Sequence, residues 1–107
     1  MKKQAIVGST VIDGMGSAPI SDGIVVIENG KISEVGRADQ VELMPDVLKI
    51  DATGKFTMPG IIDSHVHVTP NQDVPSDVRI NLRVGFSSIN TLRQSLGSGV
   101  TTVVSIG

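Results

Sequence analysis

The sequence predicts an α/β protein whose N-terminal part is rich in β-strands. Two observations lead to this fold class. Short β-branched runs alternate with turn dipeptides over residues 1–58, and a strand–helix–strand pattern occupies residues 59–107. The composition changes at Pro59-Gly60, where the first pattern gives way to the second. We therefore expect a β-rich part over residues 1–58 and a β-α-β part over residues 59–107.

Five extended segments are expected in the first part. Each is rich in apolar or β-branched residues and is bounded by turn residues: 5–12, 24–27, 32–35, 47–50 and 55–58. Asn29-Gly30 predicts a type I′ hairpin between the second and third, because both central residues of that turn need a positive φ. We expect a loop over residues 15–23, one helical turn within residues 38–43 and a turn over residues 51–54.

The second part begins with an alternating strand over residues 61–68. From Asp77 the apolar period changes to three and four residues, which predicts an amphipathic helix that ends near Gly97, with Gly85 as a weak point inside it. Its apolar positions are Val78, Leu82, Phe86, Ile89, Leu92 and Leu96. Residues 100–104 predict a second strand, and a crossover of this length makes the pair parallel and right-handed.

The composition excludes several classes of function. The chain has 107 residues, no cysteine and a formal charge of −2, so disulfides, cysteine zinc sites and a thiol nucleophile are excluded. Lys and Arg form no basic stripe, and no apolar run approaches the roughly 20 residues that cross a bilayer. We therefore expect a cytoplasmic protein that binds neither nucleic acid nor membranes. A complete (β/α)8 barrel of roughly 250 residues does not fit this length.

One stripe of side chains could carry chemistry. Asp63, His65 and His67 alternate with apolar residues and therefore point to the same side of one strand. Two imidazoles placed this way can converge on one divalent ion, at about 2.0–2.1 Å from each nitrogen for zinc. A strand with one face covered and one polar face in solvent would show the same pattern. Burial of the strand on both faces, as is usual in parallel sheets, favours the metal site.

Several motifs resemble those of the metal-dependent amidohydrolase superfamily. Residues 58–67 read MPGxIDxHxH, and Asp51-x-x-Gly54 precedes them at the family's distance. Residues 99–103, GVTTV, are similar to the second barrel strand of that family. The opening VIDG at residues 11–14 and the IENGKI hairpin at residues 27–32 look like its sandwich strands. The resemblance therefore covers nearly the whole chain.

The resemblance implies both a fold and a site. Residues 1–58 would form part of a small β-sandwich, and residues 59–107 the first strand, helix and second strand of a truncated TIM (β/α)8 barrel. His65 and His67 would be the first two ligands of a divalent metal, zinc above all, with one or two ions in the complete enzyme. Asp63 would orient an imidazole or the strand end, or would make a structural hydrogen bond. No catalytic residue of the family falls within this chain.

The implied activity is the hydrolysis of a C–N bond in a small molecule by metal-activated water. The bond would belong to an amide, or to a cyclic amide or amidine. The second-strand motif is closest to the imidazolonepropionase and prolidase branch. The chain alone is expected to be inactive and, with open strand edges, to form homo-oligomers. One alternative is a non-catalytic metal- or partner-binding β-rich module, and another is an unrelated sandwich with surface histidines. Asn71 and Asp73 lie in the loop after the histidines and could contact substrate, although a solvated loop is the simpler interpretation. For three arginines of the helix, a solvent-facing position is likewise the simpler interpretation: Arg79, Arg83 and Arg93.

Overall fold

The computed structural model describes residues 3–68 and 78–106, with the backbone alone over residues 78–82. The chain divides into two units, Met1–Pro59 and Gly60–Gly107, each described by itself below. The loop that carries Asn71 and Asp73 lies outside the described residues, so the interpretation of that loop stays a prediction. Within the described ranges, no helix has both the length and the apolar character to cross a membrane.

The first unit is a five-stranded mixed sheet in which β1 is the central strand. The strands are β1 (Gln4–Val11), β2 (Ile20–Glu28), β3 (Lys31–Arg37), β4 (Leu48–Asp51) and β5 (Phe56–Thr57). Their order is β3-β2-β1-β4, and β5 also pairs with β1. The β1–β2 and β2–β3 pairs are antiparallel, whereas β4 and β5 both run parallel to β1. A sandwich requires two facing sheets, and the described part of this unit contains one.

The two parallel partners follow one another along the same edge of β1. β4 pairs with its first half and β5 with Thr10 and Val11. Between them the chain turns at Thr53, whose hydroxyl oxygen would lie 2.7 Å from a Cβ atom built on Gly8. Gly8 also has a φ of +78°, which glycine adopts without strain. Both the space and the backbone conformation at this point of β1 therefore require glycine.

The core of the first unit lies on one face of the sheet. Ala5 of β1 and Ile24 and Val26 of β2 pack there against Val41 and Val47 from the connection between β3 and β4. Val25 is also buried although it points to the opposite face, because successive strand residues alternate. The run of apolar residues in β2 is thus explained by burial on both faces.

The hairpin prediction is confirmed, and one local expectation is wrong. Asn29 and Gly30 have φ values of +54° and +75°, as a type I′ turn requires. The loop expected up to residue 23 ends earlier, because β2 begins at Ile20. Its pairing with β1 contains register shifts, and Asp22 has a φ of +50°. Such bulges interrupt the alternation by which a strand is identified from sequence.

The single helical turn expected within residues 38–43 is present at the start of that segment. The Gln40 and Val41 amides both donate to the Arg37 carbonyl, at 2.9 and 3.1 Å, which closes one turn. The turn does not extend into a helix, and Val41 at its end is buried in the core.

The second unit contains two parallel strands and one helix. These are β6 (Ile61–Val66), α1 (Val78–Gly97) and β7 (Val100–Ser105), and β6 pairs with β7. The helix runs through Gly85 without interruption and is followed by Gly99 at a φ of +89°. The predicted strand, helix and parallel strand are confirmed in type and order.

The helix rests on a different face from the one its apolar pattern predicts. Its half-buried side chains include Val84, Ser88 and Ser95, which lie on one side of the helix. Phe86 and Leu96, on the predicted apolar stripe, are 68% and 63% exposed. The two strands of this unit offer too little surface to cover the wider apolar stripe.

Asp51 closes β4 with a side-chain turn. Its Oδ1 accepts hydrogen bonds from the Thr53 amide at 2.9 Å and from the Thr53 hydroxyl at 2.6 Å. The hydroxyl bond first, and then the amide bond, lower the pKa of the Asp51 carboxyl from its ordinary value of 3.8. Both bonds favour the carboxylate, so this turn is strongest when Asp51 is ionised.

Acid should therefore weaken this turn. A carboxyl whose pKa is lower in the folded than in the unfolded chain stabilises the fold above its unfolded pKa, and that stabilisation disappears as the pH falls through the folded value. We expect the difference in unfolding midpoint between the native chain and Asp51→Asn to shrink as the pH falls below 3.8. Denaturant titrations at a series of pH values measure this, with Thr53→Val as the partner variant. A difference that is constant with pH would contradict the assignment.

Candidate metal centre

The two histidines converge at the C-terminal end of β6. His65 lies in the strand and His67 lies just after its last residue, Val66. Their Nε2 atoms are 3.3 Å apart, and the ring centroids are separated by 5.3 Å with an interplanar angle of 61°. Side chains two residues apart on a regular strand start roughly 6.5–7 Å apart along the backbone, so the rings lean towards each other.

The pairing of β6 with β7 is irregular at this end. The register shifts between Asp63 and Val66, around His65. Irregularities of this kind can redirect the side chains of a strand. The two rings therefore converge at the point where the regular pairing ends.

The separation of the two nitrogens fits a divalent metal. Two nitrogens bound to one tetrahedral zinc at about 2.0–2.1 Å lie about 3.3–3.4 Å apart. A hydrogen bond between two neutral imidazoles is also compatible with the observed 3.3 Å. The pair therefore has the donor type and spacing of half of a tetrahedral site. Within residues 3–68 and 78–106, no third His, Cys, Asp or Glu joins these donors in a cluster.

Asp63 contacts the strand backbone instead of a ring. Its Oδ1 accepts a hydrogen bond from the His65 amide at 3.1 Å. The orienting role expected for this carboxylate stays a prediction, and the observed contact is a local hydrogen bond with the backbone. It fixes the peptide that carries the first histidine of the pair.

The expectation that β6 is covered on both faces is wrong for this unit. Asp63, His65 and His67 are all exposed, and Ile62 on the opposite face is 66% exposed. The unit has one helix to cover two strands, which leaves β6 open. Burial therefore does not force these imidazoles to bind a metal, and the case for a metal depends on their geometry and on the motif around them.

The other residues singled out from the sequence do not join this pair. Asp51 and Gly54 form a turn in the first unit, as expected, and Arg83 and Arg93 are exposed on α1. An apolar depression of about 190 Å³ in the first unit lies among Val25, Val35 and Met58. The carboxylate at its edge, Asp13, accepts a hydrogen bond from the Met15 amide at 2.8 Å, and this depression does not contain the histidine pair.

One residue near the histidines is not indicated by any pattern in the sequence. Ser88 of α1 donates to the carbonyl oxygen of Val68, one residue after His67, at 3.0 Å. A single serine in a helix carries no recognisable signal. The spacing of Val84, Ser88 and Ser95 by four and seven residues is the pattern that could have indicated a small packing face.

Comparison with known proteins links this chain to several hydrolases. No family model matches it. A dihydroorotase from Trichlorobacter lovleyi is 37% identical over 90 residues, covering 78% of this chain and 20% of that protein. An imidazolonepropionase from Bacillus cereus is 31% identical over 93 residues, covering 86% and 21%. The structure of molinate hydrolase superimposes with a TM-score of 0.78 and 34% identity, covering 97% of this chain and 24% of that one.

These matches define a class of hydrolases, and further similar structures include a prolidase and an amidohydrolase. The chain belongs to the amidohydrolase superfamily. The resemblance and the branch suggested by the second-strand motif are thereby confirmed. The relatives are hydrolases and deaminases that act on C–N bonds. The 107 residues span about a fifth to a quarter of the length of the proteins they match.

The role of Asp63 can be tested without a metal. Asp63→Ala removes the acceptor of the His65 amide, whereas Asp63→Asn keeps a side-chain oxygen at the same position. A hydrogen bond of this kind is worth about 0.5–1.5 kcal/mol, which corresponds to about 2- to 10-fold in an opening equilibrium. We expect the His65 amide to exchange with solvent faster by that factor in Asp63→Ala and less so in Asp63→Asn, as measured by NMR. Equal exchange in all three chains would contradict the role.

Proposed function

We propose that this chain is the N-terminal part of a metal-dependent amidohydrolase that hydrolyses a C–N bond of a small molecule. The observation that carries the proposal is the 3.3 Å separation of the His65 and His67 Nε2 atoms within the MPGxIDxHxH motif. In this proposal residues 1–58 are part of a small β-sandwich, and residues 59–107 are the first strand, helix and second strand of a (β/α)8 barrel. The histidines then lie at the C-terminal end of the first barrel strand, the end at which such barrels carry their chemistry.

Three residues of this chain have different roles at the proposed site. His65 and His67 would hold a divalent metal through their Nε2 atoms, with zinc as the leading candidate because imidazole suits it. Asp63 holds the backbone of the first ligand through the His65 amide. When bound, the metal lowers the pKa of a water molecule and polarises the substrate carbonyl. Two donors are fewer than the three protein ligands of a catalytic zinc site, so we expect these residues alone to give no turnover.

The substrate class follows from the relatives, which act on C–N bonds. We propose an amide or a cyclic amide or amidine as the bond cleaved, in a cytoplasmic enzyme with no nucleic-acid or membrane partner. We also propose that the chain can form a homo-oligomer, because open strand edges can pair with those of another copy.

A non-catalytic metal-binding module is the second candidate. It is supported by the absence of a third metal-binding side chain beside the histidine pair among the described residues. The two candidates differ in turnover: a protein that contains these residues and binds zinc through them without hydrolysing any amide or cyclic amide would favour the module.

Removal of either histidine should weaken metal binding. We expect His65→Ala and His67→Ala each to weaken Zn²⁺ binding by at least about tenfold, or about 1.4 kcal/mol, because one of two nitrogen ligands is lost. Isothermal titration calorimetry and elemental analysis measure affinity and stoichiometry. Lys55→Ala, in the first unit, is the control and should bind as the native chain does. Unchanged Zn²⁺ stoichiometry in both histidine variants would refute the ligand assignment.

A further inference from the structure

We propose that Ser88 is a positioning residue for the histidine pair, an inference that rests on the proposed metal-binding function. Its hydroxyl ties the backbone immediately after His67 to helix α1. In doing so it holds the second imidazole at the distance from the first that a metal requires.

The backbone at His67 has little support from the sheet. The last register pair between β6 and β7 joins Val66 to Ser105, and the Ile106 amide donates to the Val66 carbonyl at 3.0 Å. His67 and Val68 lie beyond that pair, outside the strand. The Ser88 hydroxyl contacts the Val68 carbonyl at 3.0 Å. The peptides on either side of His67 are therefore anchored at Val66 by β7 and at Val68 by α1.

The bond to Val68 distinguishes Ser88 from similar residues of the same helix. The Ser88 hydroxyl also lies 2.9 Å from the Val84 carbonyl, the ordinary contact of a helical serine with the preceding turn. Ser95 makes that ordinary contact with Thr91 at 3.0 Å, and Thr91 makes it with Ser87 at 3.1 Å. Ser88 has one proton for two acceptors, and Val68 is the acceptor outside the helix. Ser95 is therefore a matched control, half-buried on the same face.

The link matters because a metal tolerates little error in the position of its ligands. Ligand distances in metal sites hold to within about 0.2 Å, and partners that orient the ligands change metal affinity by about 10- to 100-fold when lost. Ser88 acts on the backbone beside His67 and not on its ring, so we expect an effect at the lower end of that range. The predicted loss of affinity is about tenfold.

The test compares two side chains of equal shape at position 88. Ser88→Thr keeps the hydroxyl and Ser88→Val lacks it, while Ser95→Ala removes a hydroxyl that contacts the helix alone. Titration of the 107-residue chain with Zn²⁺ by calorimetry should give about tenfold weaker binding for Ser88→Val. Ser88→Thr and Ser95→Ala should stay within about twofold of the native chain. NMR of the ring nitrogens should show both imidazoles responding to Zn²⁺ in the native chain and His67 responding less in Ser88→Val.

The outcomes separate this inference from the proposed function. Failure of the native chain to bind Zn²⁺ through its histidines would overturn the function and the inference together. Binding through the histidines with equal affinity in Ser88→Val would overturn the inference alone. Equal weakening in Ser88→Val and Ser95→Ala would also overturn it, because the effect would then be one of helix stability. If circular dichroism finds Ser88→Val unfolded, Ser88→Ala, which adds no volume, takes its place with the same expected loss.

Discussion

The site depends on how β6 ends. Side chains two residues apart on a strand share a face, which brings His65 and His67 to one side of β6. The two rings reach across the spacing between these positions, and their Nε2 atoms lie 3.3 Å apart where the register shifts between Asp63 and Val66 and pairing ends. Asp63 restrains the backbone at His65, and Ser88 contacts it just after His67. A pair of exposed histidines thus acquires the spacing of metal ligands from backbone geometry.

In the first unit, the other strands pair around the central strand β1. β1 pairs with β2 on one edge and with β4 and β5 on the other. Gly8 allows the turn between β4 and β5 to approach β1 closely. The buried Ser9 hydroxyl accepts a hydrogen bond from the Thr57 hydroxyl at 2.8 Å, which fastens the short β5 to β1. The Thr10 amide also donates to the Lys55 carbonyl at 2.9 Å, and the Ile12 amide to the Thr57 carbonyl at 2.8 Å. Backbone and side-chain hydrogen bonds together therefore hold the short β5 against β1.

The parts that were predicted correctly are those set by local chemistry. Asn29-Gly30 has its turn because of its own φ preferences, and the alternation around His65 depends on neighbours two residues away. The start of β2 was missed because a bulge near Asp22 interrupts the alternation. The buried face of α1 was missed because the surface available for packing, and not the apolar pattern of the helix, determines it. The Ser88 contact joins residues 20 positions apart, which no pattern in the sequence indicates.

The most direct measurement is X-ray absorption spectroscopy of the chain loaded with one equivalent of Zn²⁺. We expect two imidazole nitrogens at about 2.0–2.1 Å from the zinc, with oxygen donors completing the shell, since the described residues bring no third side-chain ligand to the pair. Because the chain contains two histidines, an average of two imidazoles per zinc requires both of them. A spectrum with oxygen donors and no imidazole scattering would contradict the central claim that these residues form a metal site.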